Sequence, residues 1–159
     1  MSQLKKKYLS YSNYIDVTRE TILTDNEKKK SLYKIATTFQ SAFFENKGSS
    51  FEMHVLPIEA QTFPIFAIQP DDLNGDGFLD FLAIGNLFET QTDLGRYDGG
   101  NGLVMIGDGK GKFESSPQAG YFVPGAGRDI KILKDYKKRK IYLTSRNNQT
   151  VMSYQLLDR

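Results

Sequence analysis

The sequence predicts a mainly β protein: a partial β-propeller of about two blades of four-stranded antiparallel sheet, with a short N-terminal helical segment. Three observations carry this prediction. From about residue 36 the chain is a series of short apolar runs (SAFFEN, FEMHVLP, FPIFAI, LDFLAIGN, GLVMIG, KFESS, DIKIL, KIYLTS, TVMSYQLL) separated by Gly, Asn, Asp and Pro. Aromatic and β-branched residues punctuated in this way read as strands. The second observation is an internal repeat, since the strand, Gly-rich turn, strand, Pro-containing crossing, third strand, polar loop and fourth strand recur in the same order. Phe113 follows Phe51 by 62 residues, and Asp135 follows Asp72 by 63. Four strands per period of that length describe a propeller blade. The third is a count: with the strand before DDLNGDGFLD taken as innermost, one complete blade runs from about 64 to 115. Residues 36–56 then supply the outer two strands of the blade before it, and 127–157 the inner three of the blade after.

Closed propellers use roughly four to eight blades. About two leave sheet edges open, so the expected partners are the remaining blades of a parent chain or a homo-oligomer formed through those edges.

The segment before residue 36 reads differently. Thr24 and Glu27 in TDNEKKKSLYKI form a capping-box pattern, with Leu32, Tyr33 and Ile35 as the apolar side of a short helix, and 13–23 as one or two further helical turns. Residues 1–35 are thus expected as a helical segment and 36–159 as propeller blades.

Composition excludes several function classes. The 159 residues carry 21 Lys and Arg against 19 Asp and Glu, a formal charge of +2, which provides no strong field for nucleic acid. Lys137 to Lys140 and the early KKK runs read as solvated turns, because no basic surface with interleaved aromatics accompanies them. Cys is absent and His54 is the one histidine, which argues against a zinc site. With no second ligand near it in the sequence, His54 reads as a structural residue. No run is long enough to span a bilayer, and MSQLKKKYLSYSNY has no apolar stretch behind its basic cluster, so no signal peptide is expected within this chain.

The concentration of oxygen donors in DDLNGDGFLD is the main chemical signal. Asp72, Asn74, Asp76 and Asp80 stand at relative positions 1, 3, 5 and 9, with Gly77 allowing a sharp turn that brings in the Phe78 carbonyl. Hard, partly anionic oxygen ligands in alternation suit Ca²⁺. An EF-hand requires Glu at position 12, where this chain has Ala83 inside an apolar strand. The plain alternative is an Asp/Asn/Gly turn between two strands.

This loop and its surroundings, with ENKGSSF, LPIEAQTFPI, DDLNGDGFLDFLAIGN, GRYDGGNGLVMIGDGKGKF and GYFVPGAGRDI, resemble the FG-GAP or VCBS repeat proteins. They look like the C-terminal part of the Bacteroidetes type related to ASPIC/UnbV proteins. The resemblance implies Ca²⁺-bound blades, as in integrin α-subunit propellers, in a secreted or outer-membrane parent, with no assigned reaction. It implies Asp72, Asn74, Asp76, the Phe78 carbonyl and Asp80 as metal ligands. In the next repeat KDYKKRKIY keeps Asp135 and has Lys, Arg and Tyr for the other ligands, so no cation is expected there, and one calcium site is expected in the chain and not two.

Two further stretches bear on function. GDGKGKF, residues 107–113, lacks the spacing and following helix of a phosphate loop and reads as a glycine hairpin. ETQTDLGRYDGGNG, residues 89–102, is longer than a hairpin needs. Its Arg96, Tyr97, Asp98 and Asn101 suit sugar or peptide recognition, with Gln61 and Tyr121 as neighbours, or else Arg96 and Asp98 form a structural ion pair. The expected function is a non-enzymatic, calcium-binding propeller segment serving binding or scaffolding at a cell surface, with a protein or glycan as partner. The competing reading is a carbohydrate-active hydrolase using Asp93 or Asp98. It lacks a second carboxylate fixed at catalytic separation.

Overall fold

The computed structural model describes residues 6–156, apart from the side chain of residue 19, and divides the chain into two units, Met1–Thr38 and Phe39–Arg159.

The first unit includes the short helices α1 (Tyr11–Tyr14), α2 (Arg19–Ile22) and α3 (Asp25–Lys30). The capping box of α3 is present: the Thr24 hydroxyl accepts from Glu27 N at 3.3 Å, and the Glu27 carboxylate accepts from Thr24 N at 2.8 Å. One part of the expectation is corrected. Leu32, Tyr33 and Ile35 do not line this helix, because it ends at Lys30 and the three residues follow in an exposed extended stretch. Ser31 stops it by donating its hydroxyl to the Glu27 carbonyl at 2.7 Å, a local bond that competes with another helical turn.

The second unit is three antiparallel sheets. Strands β1 (Ala42–Asn46) and β2 (Phe51–Val55) form the first. Strands β3 (Ile65–Asp71), β4 (Asp80–Gly85), β5 (Leu103–Gly107) and β6 (Phe113–Ser115) form the second in that order. Strands β7 (Gly127–Lys134), β8 (Lys140–Arg146) and β9 (Gln149–Gln155) form the third. All nine apolar runs are strands, and the sheets hold two, four and three of them, the partition expected of one whole and two partial propeller blades.

Alternation across β4 explains the stacking. Phe81 and Ala83 enter a layer with Leu56, Phe63 and Met105, flanked by Phe43 of the first sheet, while Leu82 and Ile84 enter a layer with Val123, Ile130 and Tyr142 on the side of the third sheet. A strand buried on both faces must be apolar at every position, which is why DFLAIG reads as a continuous run and not as an alternating one. Its one charge, Asp80, is fully buried.

Polar links join the second and third sheets. Asp71, at the end of β3, accepts from Tyr142 Oη at 2.6 Å and from Lys140 Nζ at 2.5 Å, both on β8. The expectation of a solvated Lys140 is therefore corrected: its ammonium is drawn to a carboxylate of the neighbouring sheet. Burial opposes ionisation of Asp71, but the bonds from Lys140, Tyr142 and the Asp72 amide outweigh it and hold the carboxyl below its ordinary value. A depressed carboxylate contributes stability that is present above the unfolded value near pH 3.9 and lost as pH falls through the lower folded value. Urea midpoints measured from pH 6 downward are thus expected to fall below about pH 4 in the wild type. In Asp71→Asn the same limb is expected to be shallower, and equal slopes would remove Asp71 from the account.

Asn86, directly after β4, is a second junction. It is buried with φ +78°, a conformation Asn tolerates better than most residues. Its Oδ1 accepts from Gly100 N at 3.0 Å, and its Nδ2 donates to the carbonyls of Gly100 and of Gly125, the latter at 3.0 Å. Arg128 donates to its carbonyl at 2.9 Å. One side chain thereby ties the long 86–102 connection to the start of the third sheet.

Candidate functional site

The acidic loop joins β3 to β4, whose register places Asp71 opposite Asp80 at its mouth. Residues 72–79 are held by their own side chains. Asp72 accepts from Gly75 N at 2.7 Å and from Gly77 N at 3.0 Å. Asn74 Oδ1 accepts from Asp76 N at 2.9 Å, and Asp76 Oδ1 accepts from Phe78 N at 2.8 Å. Each oxygen thus bonds an amide two to five residues on, which curls the backbone around a set of carboxylate and amide oxygens. Gly77, at φ +85°, makes the turn that an L side chain would strain. Asn74 Nδ2 also donates to Asp76 Oδ2 at 2.8 Å, which joins those two side chains, while both Asp72 oxygens are taken by backbone amides of the same turn.

Asp80 is placed differently. Its Oδ2 accepts from Leu73 N at 2.9 Å and its Oδ1 from Gly107 N on β5 at 2.8 Å. It fastens the loop's first turn to the adjacent strand β5, with no exposure to solvent. The Phe78 ring lies over the 107–113 hairpin, where a Cβ on Gly109 would stand 2.2 Å from it. That hairpin is the expected one, closed by Asp108 Oδ1 accepting from Lys110 N at 2.8 Å and Lys112 N at 3.0 Å.

In the equivalent loop of the third sheet, Asp135 accepts from Lys137 N at 2.8 Å and Arg139 N at 2.9 Å, and Arg139 Nη2 meets its Oδ2 at 2.7 Å. A guanidinium supplies the positive charge of this loop.

His54 has neighbours that its sequence surroundings did not suggest. Its ring stacks on Phe43 at 4.9 Å, and Nε2 lies 3.1 Å from Glu45 and 3.9 Å from Glu52. Cross-strand pairing of Glu45 with Glu52 brings the two carboxylates together. Among the described residues, this trio is the set of three acidic or imidazole groups whose ligand atoms gather within 4.8 Å. Lys47 sits 2.7 Å from Glu45 and 3.6 Å from Glu52, so a resident ammonium already balances the pair.

The 86–102 connection separates the residues assigned to ligand recognition. Tyr97 pairs through its backbone with Leu87, and Arg96 lies over the Phe88 ring at 5.1 Å, with no ion pair to Asp98. Asn101 borders a cleft of about 350 Å³ that it shares with Thr62, Gly99, Tyr121 and Phe122, but Arg96, Tyr97 and Asp98 lie outside its lining. Gln61 is a structural clamp: its amide accepts from Ser41 N at 2.7 Å and donates to the carbonyls of Ser41 and Leu56 at 2.9 Å each. Tyr121 donates or accepts at Thr144 Oγ1 at 2.9 Å, and burial pushes its phenol up to about 12. No expectation pointed to Asn86 or Asp71. The only signals for them were Asn after the buried strand and a second Asp before the loop.

Comparison with known families then meets this geometry. Residues 66–105 match the FG-GAP repeat. The matched FG-GAP segment begins one residue into β3 and ends within β5, taking in the whole acidic loop and Asn86. It spans 40 residues, from 66 to 105, of the 159. No curated protein and no solved structure matches the chain. Among the described residues, no helix is long and apolar enough to cross a membrane.

Proposed function

We propose that this chain is a non-enzymatic propeller segment serving binding or scaffolding in a cell-surface or secreted protein, with one structural Ca²⁺ site at residues 72–80. The observation that supports it is the coincidence of the FG-GAP match with a loop whose Asp72, Asn74 and Asp76 side chains all fold back onto amides of the same tight turn. FG-GAP repeats are typical of extracellular and cell-surface proteins and often mediate protein interactions, which favours a protein or glycan partner outside the cell.

The donor set fits calcium. All five candidate ligands, Asp72, Asn74, Asp76, the Phe78 carbonyl and Asp80, offer hard oxygen atoms. Carboxylate and carbonyl oxygens have two acceptor sites each, so an oxygen that takes a backbone N–H still has a lone pair to offer. Asp80 differs from the other carboxylates in being fully buried, with one oxygen accepting from a strand outside the loop. When bound, the ion supplies the positive charge that cancels repulsion among three aspartates. The chain's own part is to hold their oxygens around one turn.

Thermal unfolding tests the reading. With a dissociation constant of roughly 10⁻⁴ M and millimolar Ca²⁺, linkage gives on the order of 1 kcal/mol. That corresponds to a midpoint rise of about 4 °C over EDTA. Mg²⁺, which favours stricter octahedral geometry, is expected to give less, and Asp76→Ala is expected to abolish the rise. An unchanged wild-type midpoint would reduce the loop to a turn.

A further inference from the structure

The six edge strands of the three sheets are not alike. Strand β3 carries Pro70; β7 carries Arg128, Asp129, Lys131 and Lys134; β6 is three residues long with Glu114; β1 and β2 carry Glu45 and Glu52. Prolines, charges and brevity are the devices that stop an edge from recruiting another strand. Strand β9, QTVMSYQ, has none of them: seven residues without charge, proline or glycine. It also stands where a strand is due. The second sheet continues outward from β5 to β6, whereas among the described residues the third has no strand beyond β9.

We propose that the chain pairs with a second copy of itself along the free edge of β9, antiparallel, joining the two third sheets into one six-stranded sheet. This rests on reading the three sheets as propeller blades. The occupant follows from the chemistry of the strand. Antiparallel pairing about Met152 sets Gln149 against Gln155, Thr150 against Tyr154 and Val151 against Ser153 of the other copy, so no charges oppose one another and the contact is self-complementary. Arg146, at the end of the adjacent strand β8, is engaged within its own chain, donating to the Thr150 carbonyl at 2.8 Å and the Pro124 carbonyl at 2.9 Å. Val151 and Ser153 stand exposed on one face of β9.

Sedimentation velocity over micromolar to submillimolar concentrations tests this, and the wild type is expected to dimerise. Combining Val151→Lys with Ser153→Lys sets lysine against lysine across the two-fold axis, which is expected to weaken the dimer about thirty-fold. Mixing that variant with one carrying Val151→Glu and Ser153→Glu is expected to restore a mixed dimer. The chain has no cysteine, so a mixture of Val151→Cys and Ser153→Cys chains supplies a second readout at exposed positions: oxidation is expected to yield a cross-linked pair. A monomeric wild type would overturn the proposal and leave the place to a strand of another polypeptide. A dimer indifferent to the lysine changes, with no cross-linking, would overturn it too. The Ca²⁺-dependent midpoint is read separately on the same samples, so loss of pairing and failure of the calcium site give different results.

Discussion

Asn86→Ala is expected to lower the unfolding free energy by about 3–4 kcal/mol, the largest effect of any single substitution considered. Two costs combine. Alanine in a left-handed conformation costs about 1–2 kcal/mol, where asparagine tolerates it at φ +78°. The Gly100 N–H and the Gly100 and Gly125 carbonyls then lose their partner in a buried place, at about 1–3 kcal/mol for an unsatisfied group. Asn86→Gly separates the two, since it relieves the backbone and keeps the missing hydrogen bonds, and is expected to fall between wild type and Asn86→Ala. Asn86→Asp keeps the acceptor for Gly100 N but loses both donated bonds and buries a charge, so it is expected to be as damaging as alanine. Urea unfolding of the four proteins provides the check, and a loss below about 1 kcal/mol for alanine would mean that Asn86 is not a junction.

Asp80→Asn is expected to destabilise the protein by about 2–3 kcal/mol with EDTA present, from the loss of a charge-assisted acceptor for two buried amides. The amide nitrogen that replaces one oxygen faces either Leu73 N or Gly107 N, donor against donor. Asp76→Ala in EDTA is expected to change little, because Asp76 lies in the exposed part of the loop and its lost bonds can go to water. Unfolding both variants with and without Ca²⁺ sorts the two aspartates: Asp80 acts on stability in either condition, and Asp76 only where the ion is present. Equal and small effects in EDTA would leave Asp80 with no role beyond that of a ligand.

The strands were legible in the sequence for a simple reason. A strand buried on both faces is apolar throughout and a turn must contain Gly, Asn or Asp, and both demands are local. The repeat of about 62 residues added the sheet partition, because each blade repeats the same order of strands and turns. Local logic also gave the α3 cap and the 107–113 hairpin, where an Asp or Thr side chain bonds an amide a few residues away. The same logic overreached at Leu32, Tyr33 and Ile35, where an apolar pattern suggested a longer helix than Ser31 permits.

The chain by itself therefore determined its strands, their grouping into sheets of two, four and three, and the clustering of oxygen donors at 72–80. The tertiary structure decided the roles within that cluster and around it. Neighbouring strands turned Asp80 into a clamp on Gly107, drew the Lys140 ammonium to Asp71 across 69 positions, and made Gln61 a fastening for Ser41 and Leu56. They also split Arg96, Tyr97 and Asp98 from the cleft that Asn101 borders. Such roles depend on which distant strand lies alongside, and no local pattern encodes that. A carboxylate's neighbours in space decide what it holds: Asp72 accepts from an amide of its own loop, Asp71 from an ammonium of the next sheet and Asp80 from an amide of the adjacent strand.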